Sequence, residues 1–281
     1  MVNHSDDGEF YIESVRAKTI QDLIQKHLRF QCDRKALRHF MKEARLLRSL
    51  HHENVGQIYG VALHYNPIIL VLEFSRMLLT LTNISASLLT YLKRNRGCTS
   101  GTEKRRLVCE AAAGLAYLAE SGCIHRDIAA RNCMLNDALV VKISGFSLCE
   151  PIREMHDSSN RAIAVKWQAP EVLKNRDYSL KSDIWSFGVL MWEVYSDGSE
   201  PYGELTPNAV KEMVLRNNYR MIIPEVSENT NIAKRKLGLS PAISKPTDCP
   251  KVVANIMASC WESYPRKRPC MSAIHLVIRD Y

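Results

Sequence analysis

From Leu88 onward, apolar residues recur at three- and four-residue spacing in six separate stretches. This predicts helices over 88–94, 103–121, 182–196, 207–217, 250–262 and 269–279. Helices of this kind must bury their apolar stripes against one another, so the C-terminal two thirds of the chain demands a mainly helical body. What precedes it is smaller and mixed. Residues 9–27 read as a short strand and then a helix with Thr19 as its N-cap. Residues 34–50 carry Leu37, Phe40, Met41, Ala44, Leu47 and Leu50 as a helical stripe, and 55–63 and 68–74 read as strands turned by Asn66-Pro67. Residues 75–86 have no clear period, and 225–248 is a loop-like stretch rich in Ser, Asn, Lys and Pro, long for a compact domain. With 281 residues, 46% of them hydrophobic, the chain can bury a sizeable core. The expected class is α+β.

The helical part contains the string Cys123-Ile124-His125-Arg126-Asp127-Ile128-Ala129-Ala130-Arg131-Asn132. It is followed in order by Ala169-Pro170-Glu171 with Trp167 just before it, by Asp183-Ile184-Trp185-Ser186-Phe187-Gly188, and by Cys260-Trp261 ahead of Arg268-Pro269. This set resembles the catalytic domain of protein kinases. The Ala-Ala-Arg insert and Trp167 resemble tyrosine kinases, above all the Fer/Fps group of nonreceptor enzymes. Upstream, Phe40-Met41-Lys42-Glu43-Ala44-Arg45 resembles the helix that carries the family's glutamate, here Glu43. Residues 68–74 resemble the strand entering the hinge, with Leu72 at the gatekeeper position and Glu73-Phe74 at the hinge.

The resemblance covers roughly residues 35–281 and implies a protein-kinase-like bilobal fold, ATP and Mg2+ as cofactors, and a protein substrate or signalling partner. It makes Asp127 the acceptor of the substrate hydroxyl's proton, Arg131 the group that places a tyrosine against it, and Asn132 a magnesium ligand. It gives structural roles to His125 and Phe146, to Asp183 as anchor of the catalytic loop, and to Arg268 as partner of Glu171.

Three nucleotide-handling parts depart from the family pattern. Gly145-Phe146-Ser147 stands where relatives keep Asp-Phe-Gly, so the metal-binding carboxylate is missing. Gly8 is the sole glycine before Gly56, which removes the Gly-rich phosphate loop. No Val-Ala-Ile-Lys string exists; Lys26 precedes Glu43 at a spacing some relatives show, but its surroundings read as an amphipathic helix resembling the end of a Src-homology-2 domain. The implied organisation is a Src-homology-2 remnant over 1–27, a truncated N-lobe lacking the first strands over 28–86, with an insertion at its hinge, and a C-lobe over 87–281 interrupted near 226–246. Between Phe146 and Pro170 there is no tyrosine, so the usual phosphotyrosine switch has no acceptor.

The net charge of +8 and pI near 9.0 come from cations spread along the chain, and short clusters such as Lys104-Arg105-Arg106 and Arg266-Lys267-Arg268 read as solvated surface. No groove-reading motif accompanies them, which argues against nucleic acid as the partner. Nine cysteines at irregular spacing, without a C-x-x-C pair, fit reduced thiols in the cytoplasm. The longest apolar run, 68–72, is far below the ~20 residues that span a bilayer. The leading expectation is a tyrosine-kinase-like binding or scaffold domain with little or no phosphotransfer. One alternative is residual ATP-dependent tyrosine kinase activity. Another is a fragment, the product of a defective gene model, whose apolar face around Leu37, Phe40, Leu47, Ile69 and Val71 lacks its cover.

Overall fold

The computed structural model describes residues 3–4, 10–12, 15–17, 41, 44–62, 69–72, 87–152, 163–223 and 249–281. At the N-terminus β1 (Asn3–His4), β2 (Phe10–Ile12) and β3 (Val15–Ala17) form an antiparallel meander, where the sequence predicts one strand. The helix predicted after it, the hinge insertion and the 226–246 insertion lie outside the described residues. Residues 44–48 are helical, and β4 (Ile58–Ala62) pairs antiparallel with β5 (Ile69–Leu72).

The body that follows is helical, as its periodicity predicts. It comprises α1 (Leu88–Arg94), α2 (Gly101–Glu120), α3 (Pro170–Asn175), α4 (Leu180–Tyr195), α5 (Pro207–Arg216), α6 (Lys251–Cys260) and α7 (Met271–Asp280). Hydroxyl caps define several starts: Ser87, Ser100 and Thr206 accept from the third residue of α1, α2 and α5, and Ser179 and Ser182 form a reciprocal capping box on α4. Helix α4 is buried from Ser182 to Tyr195, so its apolar run needs no polar face. Each large side chain it buries contributes about 1.5–3 kcal/mol against exposure.

Four short strands thread this body. β6 (Cys123–Ile124) pairs with β9 (Glu150–Pro151), and β7 (Cys133–Leu135) pairs with β8 (Val141–Ile143), both antiparallel. The pairing is nested: the inner hairpin β7–β8 lies inside the outer pair β6–β9. Consequently the loop leaving β6 and the loop leaving β8 are held against each other at one end of the ladders. Sequence periodicity misses strands of two or three residues.

One sequence expectation is overturned here, the solvated reading of the basic clusters at Lys104 and Arg268. Leu47 and Leu50 are buried in the common core with Ile143 and Phe146, so the stripe of that helix is covered at these positions. The cover comes from the chain itself. Asn54 Nδ2 donates to Val141 O (3.0 Å), Ile143 N to Asn54 O (2.9 Å) and Gly56 N to Ile143 O (2.7 Å), which ties the post-helix turn to β8. Gly114 of α2 permits this approach, because a Cβ there would press into the Asn54 carbonyl and the Ile143 side chain. Lys104, read as a solvated cation, is instead buried against Asp197 at 2.6 Å, with side-chain exposures of 3% and 4%. Arg268, in the other basic cluster, is buried as well.

Candidate functional site

The two loops brought together by the nested ladders carry the residues singled out by sequence. His125 is buried and held from both ring nitrogens: Nε2 lies 2.9 Å from the Ser144 carbonyl, and Nδ1 accepts the Asp127 N–H at 3.3 Å. That pattern fixes a neutral ring with its proton on Nε2, and burial lowers the pKa in the same sense. Its ring packs against Phe146 at 5.4 Å between centroids, so the imidazole and the phenyl pin the two loops side by side. Asp127, Arg131 and Asn132 converge on one point. Arg131 forms an ion pair with Asp127 Oδ1, while Asn132 Nδ2 donates to Oδ2 and to the backbone carbonyl of the same residue, both at 2.7 Å. Asp127 therefore has a donor on each carboxylate oxygen.

Gly145 lies beside this cluster with φ +78°, a left-handed conformation that glycine adopts without strain. A Cβ built there would come within 2.7 Å of Asn132 Cγ and Oδ1. The space a side chain needs at 145 is thus taken by the Asn132 amide. Among the described residues no group of three His, Cys, Asp or Glu side chains could hold a metal ion.

Two carboxylates of α4 hold the 125–132 loop by its backbone. Asp183 accepts from His125 N (2.7 Å) and Arg126 N (3.0 Å), at the loop's start. Glu193 accepts from Ala130 N (2.9 Å), at its end, and from the Trp167 indole N–H (3.0 Å). Burial pushes the carboxyl pKa of each up to about 7, against the pull of those donors. Sequence reasoning missed Glu193. The signal was there: a charged residue inside Val189-Leu190-Met191-Trp192-Glu193-Val194 must find buried donors.

The segment after Gly145 is fastened at both ends to Arg126. Its guanidinium pairs with Glu150 at 2.8 Å and stacks on Tyr178 at 4.8 Å, while its carbonyl accepts from Gln168 Nε2 at 3.1 Å. The anion facing Arg126 is thus Glu150, a residue of the chain itself. Glu150→Gln removes that charge and leaves a largely buried guanidinium, so cleavage within residues 146–170 by a nonspecific protease is expected to rise about tenfold. An unchanged cleavage rate would show that the pair does not hold the segment.

Further back, Arg268 grips Glu171 through two bonds of 2.6 and 2.8 Å. Leu72 closes β5, whereas Lys26, Glu43, Glu73 and Phe74 lie outside the described residues.

Comparison with known proteins agrees with the motifs. Residues 8–235 match the family of protein tyrosine and serine/threonine kinases. This range begins inside the segment read above as a Src-homology-2 remnant. The chain is 37% identical to Fer-related kinase 1 of Caenorhabditis elegans over 274 residues, which is 98% of this chain and 62% of that protein. It is 34% identical to mouse megakaryocyte-associated tyrosine-protein kinase over 93% of this chain and 43% of the relative. With human tyrosine-protein kinase Fer it shares 32% identity over 93% of its own length and 27% of the relative's. The resemblance to Fer/Fps nonreceptor tyrosine kinases drawn from the motifs is thereby borne out, and the chain spans less than two thirds of these relatives' lengths.

Proposed function

This chain belongs to the protein tyrosine and serine/threonine kinase family, and we propose that within it the chain serves as a tyrosine-kinase-like binding domain with little or no phosphotransfer. Kinases of this family use ATP and Mg2+ and act on proteins. The observation that carries our reading is Gly145, which faces Asn132 with no carboxylate to join it in holding a metal. Catalysis of phosphoryl transfer is almost entirely positioning and charge stabilisation by metal and protein groups. The described residues give a magnesium ion a poor site: position 145 offers no side-chain oxygen, which leaves the Asn132 Oδ1 without a carboxylate beside it.

What persists is the side that would meet a protein. Asp127 and Arg131 form a partly exposed ion pair at 22% and 33%, within reach of a phenol hydroxyl. The Arg131 guanidinium stacks on the Trp167 ring at 4.4 Å, joining the pair to the segment along which a protein chain would lie. Irregularly spaced free cysteines support a cytoplasmic setting for this role, and among the described residues no helix is long and apolar enough to cross a membrane.

Thermal unfolding with and without saturating Mg-ATP tests the proposal. A ligand at 100 times its Kd that binds only the folded state adds about 2.7 kcal/mol. The expected result is a cooperative transition that ignores Mg-ATP, and no tyrosine phosphorylation above an Asp127→Asn control. A magnesium-dependent rise in Tm, with phosphorylation lost in Asp127→Asn, would instead establish residual kinase activity.

A further inference from the structure

We propose that Glu193 is the positioning residue of the Asp127–Arg131 site, through a single carboxylate oxygen that holds the catalytic loop and the Trp167 indole together. Both bonds end on the same atom, Oε2: the Ala130 N–H at 2.9 Å and the Trp167 Nε1–H at 3.0 Å. The indole so fixed presents its face to the Arg131 guanidinium at 4.4 Å, and Arg131 meets Asp127. One buried atom therefore joins two segments that are far apart in sequence and meet at the proposed binding surface. The inference rests on the reading that this surface receives a protein segment, but not on whether nucleotide binds.

Three features make the linkage more than packing. Glu193 is 1% exposed, so no water competes for its bonds. Ser186, two helical turns earlier on α4, donates its hydroxyl to the Trp167 carbonyl at 2.7 Å, so the same helix grips that residue at backbone and ring. Finally, the charge of Glu193 is poorly compensated. Arg131 faces it from the catalytic loop, while Cys133 and Glu200 also lie close; Glu200 raises the carboxyl pKa further, and Glu193 in turn pushes the Cys133 thiol up. With burial as the leading cause, the carboxyl titrates at about 7. A raised pKa means that its contribution to stability is full below the ordinary carboxylate range and is lost as pH rises through about 7.

The test uses the full chain without nucleotide or peptide, so its failure is separable from failure of the binding reading. The Trp167 indole resonance in a nitrogen–proton NMR spectrum is identified by its absence in Trp167→Phe. In the wild type it is expected to shift with a midpoint near pH 7, and in Glu193→Gln it is expected to stay constant from pH 5 to 9. Glutamine retains a carbonyl oxygen able to accept both bonds, whereas alanine retains none. Amide exchange at Ala130 and across residues 165–168 is therefore expected to rise together, about tenfold, in Glu193→Ala and to return to near wild type in Glu193→Gln. Exchange in α2 should remain unchanged. A Trp167 indole N–H that exchanges with solvent in the wild type as fast as an exposed indole would overturn the proposal, and it can be read even if the alanine variant fails to fold. So would a uniform rise across all helices, or a glutamine variant no better than alanine.

Discussion

Arg268→Ala is expected to lower the unfolding free energy by about 3–5 kcal/mol, the cost of leaving a buried charge without its partner. The Glu171–Arg268 pair has side-chain exposures of 13% and 0%, and its two parallel bonds match the fork of the guanidinium to the carboxylate. Arg268 does more than pair. Its Nε donates to Glu262 O at 2.9 Å, Nη1 also donates to Lys181 O at 2.8 Å, and its guanidinium lies 5.2 Å from the centre of the Trp185 ring. Arg220 stacks on the same ring at 4.5 Å, so the buried indole of α4 is flanked by two cations. Lysine cannot reproduce that set of directions from one ammonium, and Arg268→Lys is expected to recover less than half the loss. At roughly 2–4 °C per kcal/mol for a domain of this size, the alanine variant should melt about 6–20 °C lower. Arg266→Ala, at an exposed position of the same basic cluster, should fall within about 0.5 kcal/mol of wild type. If the two variants melted alike, the buried pair would not be the lock between the start of α3 and the C-terminal helices.

Asp183→Ala is expected to cost about 2–6 kcal/mol, because it orphans the N–H groups of His125 and Arg126 in a buried setting at about 1–3 kcal/mol each. It also frees the start of the 125–132 loop. Arg126 has φ +70°, a strained conformation for a side-chain-bearing residue, which the Asp183 bond helps to hold. Asp183→Asn keeps one acceptor and should cost roughly half as much. The sign of the pH effect follows from the raised pKa of about 7. The native state favours the protonated carboxyl, so Asp183's contribution is complete below the unfolded value near 3.8 and declines as pH climbs through about 7. An asparagine does not titrate. Urea denaturation should therefore show the wild-type advantage over Asp183→Asn shrinking between pH 5 and pH 8. An advantage that grew over the same interval would mean that the carboxylate form is the one the fold prefers.

How much of this was legible beforehand depended on the range of the interaction. Helices α1, α2, α4, α5, α6 and α7 lie where their apolar periods predict them, because that signal is local. The short helix α3 and strands β6, β7 and β9 escaped, since elements of two to six residues carry too little period to be seen, whereas β8 lies in the stretch 140–144 that the motif resemblance reads as a strand. The convergence of Asp127, Arg131 and Asn132 was legible from their spacing in one string. That the Asn132 Nδ2 turns onto Asp127 was not, because a bond between side chains five residues apart depends on the path of the loop between them. Likewise Lys104 looked like one of three solvated cations until Asp197, distant in sequence, proved to face it.

By itself, then, the sequence determined the family, the helical body and the loss of a carboxylate at position 145, since motif order and residue type are written in the chain. Only tertiary structure decided which groups compensate for one another. Glu150 meets Arg126, and Glu193 joins Ala130 to Trp167, because nested ladders and one buried helix bring those segments within hydrogen-bond distance. The physical reason is that a buried charge must find a partner, while nothing in a linear pattern says which of the many distant donors it will be.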